Sequence, residues 1–262
     1  MKNYTKKTLM TGLALTGMFL AACQSPEETN VEEQKELIIG LDDTFAPMGF
    51  RNDEGELIGF DIDLANAVAE DLDYEISFQP IDWAMKETEL NAGNIDMIWN
   101  GYTITDERAE KVDFGIPYLN NSQLIVTLEE NGINEKSDLE GKVVAAQQSS
   151  SAVEAIESDA SNISEKFQNG EIVQYPSNND VFNDLISGRS DAIVVDETLG
   201  RFYMNQNPDA AYKVLDEDFG KEEYAIGFRP DDDTLREEIN ASIENLMENG
   251  TYDSIYAEWF TE

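Results

Sequence analysis

The 262-residue chain contains no histidine and a single cysteine, Cys23. Serine–histidine and cysteine–histidine nucleophile pairs therefore cannot be built, nor can zinc sites of the usual kind. Basic residues are also scarce: 17 Lys and Arg stand against 55 Asp and Glu, for a formal net charge of −38. A surface this acidic repels phosphate backbones and anionic headgroups, which removes nucleic acid from the set of partners. There is no GxxxxGK[ST] loop, no GxGxxG fingerprint and no spaced-aspartate calcium loop, so neither a metal nor a cofactor is expected. Carboxylate acid–base chemistry and simple ligand binding remain.

Long apolar runs are missing too, with one exception at the start. Lys2, Lys6 and Lys7 precede an uncharged, mostly apolar stretch from Leu9 to Ala22, too short for a stable spanning helix. It ends in Leu20-Ala21-Ala22-Cys23, which resembles a bacterial lipobox. That resemblance implies a signal peptide over 1–22, cut before Cys23, and a diacylglycerol on the Cys23 sulfur. Loss of the three lysines takes the net charge from −38 to −41. Residues 23–35 carry the lipidated cysteine and an acidic, polar stretch with too little apolar surface to fold, and read as a flexible tether.

About 225 residues follow, enough for two small lobes. Short apolar runs alternate with amphipathic stretches: ELIIGL, then Asp61 to Leu72 with Ala65, Val68, Ala69 and Leu72 on one helical face, then YEISF, a helix ending near Gly93, and IDMIW. This alternation is βαβ grammar and predicts α/β lobes with mostly parallel sheets flanked by helices. Leu90-x-x-Gly93-x-x-Asp96-x-Ile98 is echoed by Leu185-x-x-Gly188-x-x-Asp191-x-Ile193. The two strands run out at Asn100-Gly101 and Asp196-Glu197, and ligands of open α/β sheets sit beyond such carboxyl ends.

The stretch WNGYTITDERAEKVDFGIPY, Trp99 to Tyr118, sets Arg108 just after a polar strand end and a hydroxyl-bearing turn. A guanidinium is a planar fork of N–H donors that matches a carboxylate two bonds at a time. Asp106, Glu107, Glu110 and Asp113 surround it, so an ordinary surface arginine is the alternative that spacing leaves open. The stretch resembles the ligand-binding signature of the polar amino-acid receptors of bacterial ABC importers, the family 3 solute-binding proteins. GFDIDLANAVAEDL, Gly59 to Leu72, is similar to that family's other diagnostic pattern, and the resemblance runs from about Leu37 to Phe260.

The resemblance implies a two-lobe, type II periplasmic-binding-protein-like fold with two crossover strands as a hinge. SQLIVTL (Ser122 to Leu128) and EEYAIGF (Glu222 to Phe228) are the candidate crossings. Lobe 1 is then 36–122 plus 224–262 and lobe 2 is 123–223. A C-terminal helix with Leu235, Ile239, Ile243, Leu246 and Met247 on one face packs back on lobe 1. Tyr252, Tyr256 and Trp259 behind it read as core.

A free amino acid presents a carboxylate, an ammonium and a side chain, and there are candidates for all three. Arg108 supplies the fork for the carboxylate, with Thr103 and the turn Ser149-Ser150-Ser151 adding donors. By resemblance the role belongs to Ser151, with Ser150 beside it and Ser149 a poorer choice. Asp196, at the end of DAIVVD, matches the family aspartate that receives the ammonium; Asn100 and Gly101 would add carbonyl acceptors. The family often has serines at these two positions, which leaves their side-chain roles open. For the ligand side chain, Asp42 matches a contacting position, Phe45 and Phe60 offer aromatic walls, and Tyr102 and Trp83 are further wall candidates, Trp83 being as much a core residue as a pocket one.

The function expected from this reading is a receptor, not an enzyme. It would be lipid-anchored on the extracytoplasmic face of the cell membrane, Gram-positive by its closest likeness, and would work as a monomer that hands a polar L-amino acid to the membrane subunits of an ABC permease. Cystine is the first expectation for the ligand, with glutamine, arginine or histidine next. The alternatives are an enzyme on the same fold, of prephenate or arogenate dehydratase type with Glu197 or Asp196 moving the proton, and a ligand-sensing module for a membrane kinase.

Overall fold

In each of two five-stranded sheets four strands run one way, and the reversed strand is the first that the chain enters after passing between the sheets. The computed structural model describes residues 36–260. The signal peptide over 1–22, the lipidated Cys23 and the tether over 23–35 lie outside the described residues.

The first sheet has the order Glu75–Pro80, Glu36–Leu41, Met97–Ile98, Gly227–Phe228, Asp113–Phe114. The first three are parallel, and Gly227–Phe228 is antiparallel to both of its neighbours. The second sheet has the order Val173–Tyr175, Val144–Gln147, Ala192–Asp196, Leu119–Leu128, Tyr212–Tyr224. Here the reversed strand is Leu119–Leu128. A strand whose carboxyl end faces the gap between the sheets runs toward that gap, while a strand that enters through it runs away. The direction of the odd strand in each sheet thus marks where the chain crosses.

Apolar runs form the central strands because both of their faces are covered. Ile39, Met97 and Phe228 are buried with Leu64 and Val68 of the helix Phe60–Leu72 and with Ile239 and Ile243 of the helix Asp233–Asn249. In the second sheet Val144, Ala146, Ile125 and Val194 pack against Val153 and Ile156 of the helix Ser151–Glu157. The C-terminal helix does return to the first sheet's side, where Ser242 Oγ donates to Asp71 at 2.7 Å. Trp259, on the final helix Thr251–Phe260, donates its Nε1 proton to Asp63 at 2.7 Å.

Helix Phe60–Leu72 begins at Gly59, whose φ of +146 and close approach to Met48 exclude a side chain; an added Cβ would lie 2.2 Å from the Met48 carbonyl oxygen. The tight turn aims Phe60 inward. Its ring is fully buried, 5.8 Å from Tyr252, 5.1 Å from Phe260 and 6.3 Å from Tyr118. The expectation that Phe60 walls the ligand pocket is corrected here: the first turn of the helix faces the C-terminal helices, and the aromatic cluster takes up the ring.

Truncating Phe60 should therefore act on stability and leave recognition alone. Phe60→Ala is expected to lower the unfolding free energy by about 3–5 kcal/mol in denaturant titration, with an unchanged order of amino-acid preference. A changed preference at intact stability would put the ring back at the pocket.

Candidate ligand-binding site

Four strand ends converge between the lobes. Glu36–Leu41 ends at Asp42, Met97–Ile98 at Trp99-Asn100-Gly101, Val144–Gln147 at the serine turn, and Ala192–Asp196 at Asp196 itself. A narrow cavity between them is lined by Phe45, Trp83, Gly101 and Arg108 from one side and Gln147, Ser150, Ser151 and Asp196 from the other.

Arg108 is held at this seam by partners on both sides. The short helix Asp106–Ala109 starts at Thr105, whose hydroxyl accepts the Arg108 backbone N–H at 3.2 Å and fixes the residue in the first turn. Its guanidinium lies 4.6 Å over the Tyr102 ring. Arg108 NH1 donates to the Thr103 carbonyl at 3.0 Å and NH2 to the Ser149 carbonyl at 3.4 Å, while Glu154 stands 3.5 Å from Nε. Only 2% of the residue is exposed, so the surface-arginine alternative does not describe it.

Thr103 pairs with Tyr224 in an isolated antiparallel bridge whose two bonds run from Ile104 N to the Glu223 oxygen and from Ala225 N to the Tyr102 oxygen. That pattern leaves the Thr103 amide outside the ladder. Ser151 Oγ donates to Thr103 Oγ1 at 3.1 Å across the gap. Ser150 Oγ is turned back to the Gln147 carbonyl at 2.7 Å, and Ser149 adopts φ +55, which presents its carbonyl to Lys86 and Arg108.

Asp196 is buried opposite Arg108. Its Oδ1 accepts from Asn121 Nδ2 at 2.5 Å, Tyr224 OH at 2.8 Å and Gln123 Nε2 at 3.0 Å. Burial, and then the charge of Glu222, push its carboxyl up to about 7, against the pull of the Tyr224 hydroxyl and the Arg108 charge.

At the remaining end, Asp42 accepts from Thr44 at 2.7 Å and from Gln147 Nε2 of the facing lobe at 2.7 Å. Gln147 also donates to the Pro176 carbonyl at 3.0 Å and accepts from Asn178 at 2.9 Å. Burial raises the Asp42 carboxyl, with the Thr44 and Gln147 hydrogen bonds opposing it.

The structure thus gathers Phe45, Trp83, Gly101, Arg108, Ser150, Ser151 and Asp196 on one cavity, with Asp42 and Thr103 one hydrogen bond behind it. Asn100 and Tyr102 stand in support: Asn100 Oδ1 accepts the Asp42 backbone N–H at 3.1 Å, and Tyr102 is the platform under Arg108. Phe60 is elsewhere. Gly101 needs both its φ of +54 and its missing side chain, since a Cβ would come within 2.7 Å of the Phe45 ring.

Residues 37–262 match the family described as bacterial extracellular solute-binding proteins, family 3. The chain belongs to this family. The L-cystine-binding protein TcyJ of Escherichia coli K12 is 29% identical over 88% of this chain and 84% of its own. A substrate-binding protein of an ABC uptake transporter from Streptococcus pneumoniae, solved with bound histidine, is 38% identical with a TM-score of 0.84, over 87% of this chain and 93% of its own. An ancestral arginine-binding protein bound to glutamine is 37% identical with a TM-score of 0.80, over 87% and 99%. No helix among the described residues is long and apolar enough to cross a membrane.

The cleft of this family member holds more than motif reading singles out. Gln147, Glu222, Gln123, Asn121 and Lys86 all touch the residues above. Lys86 is buried with Nζ 3.0 Å from the Ser149 carbonyl; burial, with the Arg108 charge behind it, pushes its ammonium down to about 8. Gln147 was readable as the last residue of a strand, and Glu222 as part of a candidate crossing. Nothing local marks Lys86.

Below Gly101 lies Asp61, whose Oδ2 accepts the Gly101 N–H at 2.7 Å. Burial pushes its carboxyl from 3.8 up to about 7, against that hydrogen bond. A carboxyl raised on folding binds its proton more tightly in the folded state, so its contribution to stability falls as pH rises from about 4 to about 7. Asp61→Asn keeps an acceptor for Gly101 and buries no charge. Its Tm is expected to decline less than wild type across that window, the two curves diverging by about 2–4 kcal/mol in unfolding free energy. Parallel curves would show that Asp61 stays ionised.

Proposed function

We propose that this chain is the extracytoplasmic, lipid-anchored receptor that captures one polar L-amino acid and passes it to an ABC permease. The observation that carries the reading is the placement of Arg108 and Asp196, opposite charges from opposite lobes, on one small cavity. An α-amino acid is a zwitterion whose carboxylate suits the guanidinium fork and whose ammonium suits a buried carboxylate. Both ends are satisfied at once only when the lobes are together, so binding favours closure by its difference in affinity between open and closed forms. Membership of the extracellular solute-binding family and the lipobox-like Leu20-Ala21-Ala22-Cys23 support the location and the anchor.

Beyond the zwitterion, the cavity is bounded by Gln147, which donates to Asp42 behind it, and by the rings of Phe45 and Trp83. A side chain that offers N–H donors suits that end: arginine, histidine or glutamine. Cystine offers an ammonium there but brings a second carboxylate toward Asp42, which places it behind the other three in our reading. The dehydratase alternative has no comparable support, since Asp196 is held by three donors and Glu197 pairs with Arg201 at 2.6 Å on the outside of its helix.

Isothermal titration of residues 24–262, refolded from denaturant to strip retained ligand, against the twenty L-amino acids and L-cystine tests the reading. One amino acid is expected to bind at micromolar affinity or better, and Arg108→Lys to weaken it by about 1.5–3 kcal/mol through loss of the fork. Silence across the panel would refute the reading, and full affinity in Arg108→Lys would move the carboxylate elsewhere.

A further inference from the structure

Glu222 stands on the second crossing strand, immediately after an irregularity that breaks the pairing register between Asp218 and Lys221. Gly220, at φ +114, lies inside that break. Past the break the strand alternates: Lys221 and Glu223 face out, while Glu222 and Tyr224 turn in. A bulge of this kind re-aims a side chain, and here it points a carboxylate at the seam between the lobes.

Four donors surround Glu222 Oε2. Gln123 Nε2 lies at 2.9 Å, Thr103 Oγ1 at 3.1 Å, Asn121 Nδ2 at 3.2 Å and Ser151 Oγ at 3.3 Å. Thr103 comes from the first lobe and Ser151 from the second, and these are the hydroxyls placed beside Arg108 for a ligand carboxylate. Asn121 and Gln123 donate at the same time to Asp196 Oδ1. Two carboxylates therefore share two amide donors, one at the ammonium end of the cavity and one behind its carboxylate end.

We propose that Glu222 is a positioning residue of the amino-acid site: it orients the Thr103 and Ser151 hydroxyls across the lobe seam and, through the Asn121 and Gln123 amides that it shares with Asp196, sets its charge against that carboxylate until a ligand ammonium offsets it. The inference rests on the amino-acid-receptor reading for its ligand and on the shared donors for its geometry. A like charge set around common donors disfavours ionisation of the buried Asp196, whose carboxyl is raised by burial first and by the Glu222 charge second. The other charged and titratable groups around the pair are Arg108, whose charge opposes the burial of Asp196, the Tyr224 hydroxyl, and Asp106, Glu107, Glu154 and Lys221 along the groove outside Glu222, with Glu223 beside it.

Glu222→Gln is nearly isosteric and keeps one acceptor oxygen, but removes the charge. The test measures Tm of the full chain in detergent from pH 5 to pH 8, for wild type, Glu222→Gln and Glu222→Asp, without ligand and with an equimolar mixture of the twenty L-amino acids and L-cystine. Without ligand, wild type is expected to lose stability as pH rises through 7, and Glu222→Gln to gain on it by about 2–4 °C between pH 5 and pH 8, with Glu222→Asp following wild type. The stabilisation by the mixture should weaken on acidification in wild type and do so less in Glu222→Gln. Loss of hydrogen bonds alone would displace the curves in parallel, and parallel curves overturn the proposal. If the mixture stabilises no variant at any pH, the receptor reading falls, while the ligand-free curves still decide the carboxylate pair.

Discussion

A guanidinium withdrawn from water needs acceptors, and Arg108 finds them only where the two lobes meet. The Thr103 carbonyl and the Tyr102 ring come from its own lobe; the Ser149 carbonyl and Glu154 come from the other. Parting the lobes would take away half of that set and return the charge to water. Lys86 repeats the arrangement on the same Ser149 carbonyl, so two cations of one lobe lean on one backbone oxygen of the other. A ligand carboxylate would enter at the point where these donors are already focused.

The strand directions explain why that point exists. In both sheets the strands that end at the gap deliver polar residues to it, and the single reversed strand is the one that starts there. The site is thus assembled from residues far apart in sequence, yet each rests on a short strand end or helix start whose backbone is fixed by its own sheet. Three buried carboxylates, Asp42, Asp61 and Asp196, are all pushed upward by burial, and each is matched to a backbone or amide donor.

Much of this is legible in the sequence, and the reasons are physical. The amphipathic period of Asp61 to Leu72 and of the C-terminal helix, and the apolar runs IDMIW and DAIVVD, gave elements whose burial follows from their pattern alone. Arg108, Asp196 and Ser151 stand out as candidates in the sequence because strand ends of an α/β sheet face the cleft and because they resemble a family signature, and all three line the one cavity. Phe60 misled, since an aromatic next to a glycine turn looks the same in sequence whether the helix shows it to a cavity or to a neighbouring helix. Gln147 to Asp42, Glu222 to Thr103 and Lys86 to Ser149 were not readable, because each joins segments separated by the crossing of the chain, where no local period carries information.

The central claim is that one amino acid is held at both ends by the two lobes at once. A crystal structure of the protein grown with the amino acid that binds in solution tests this most directly. The account predicts the ligand carboxylate about 2.7–3.2 Å from the Arg108 guanidinium and from donors of Thr103 and Ser151, with the ammonium at the same range from Asp196. An amino acid bound with its carboxylate away from Arg108, or wholly within one lobe, would contradict it.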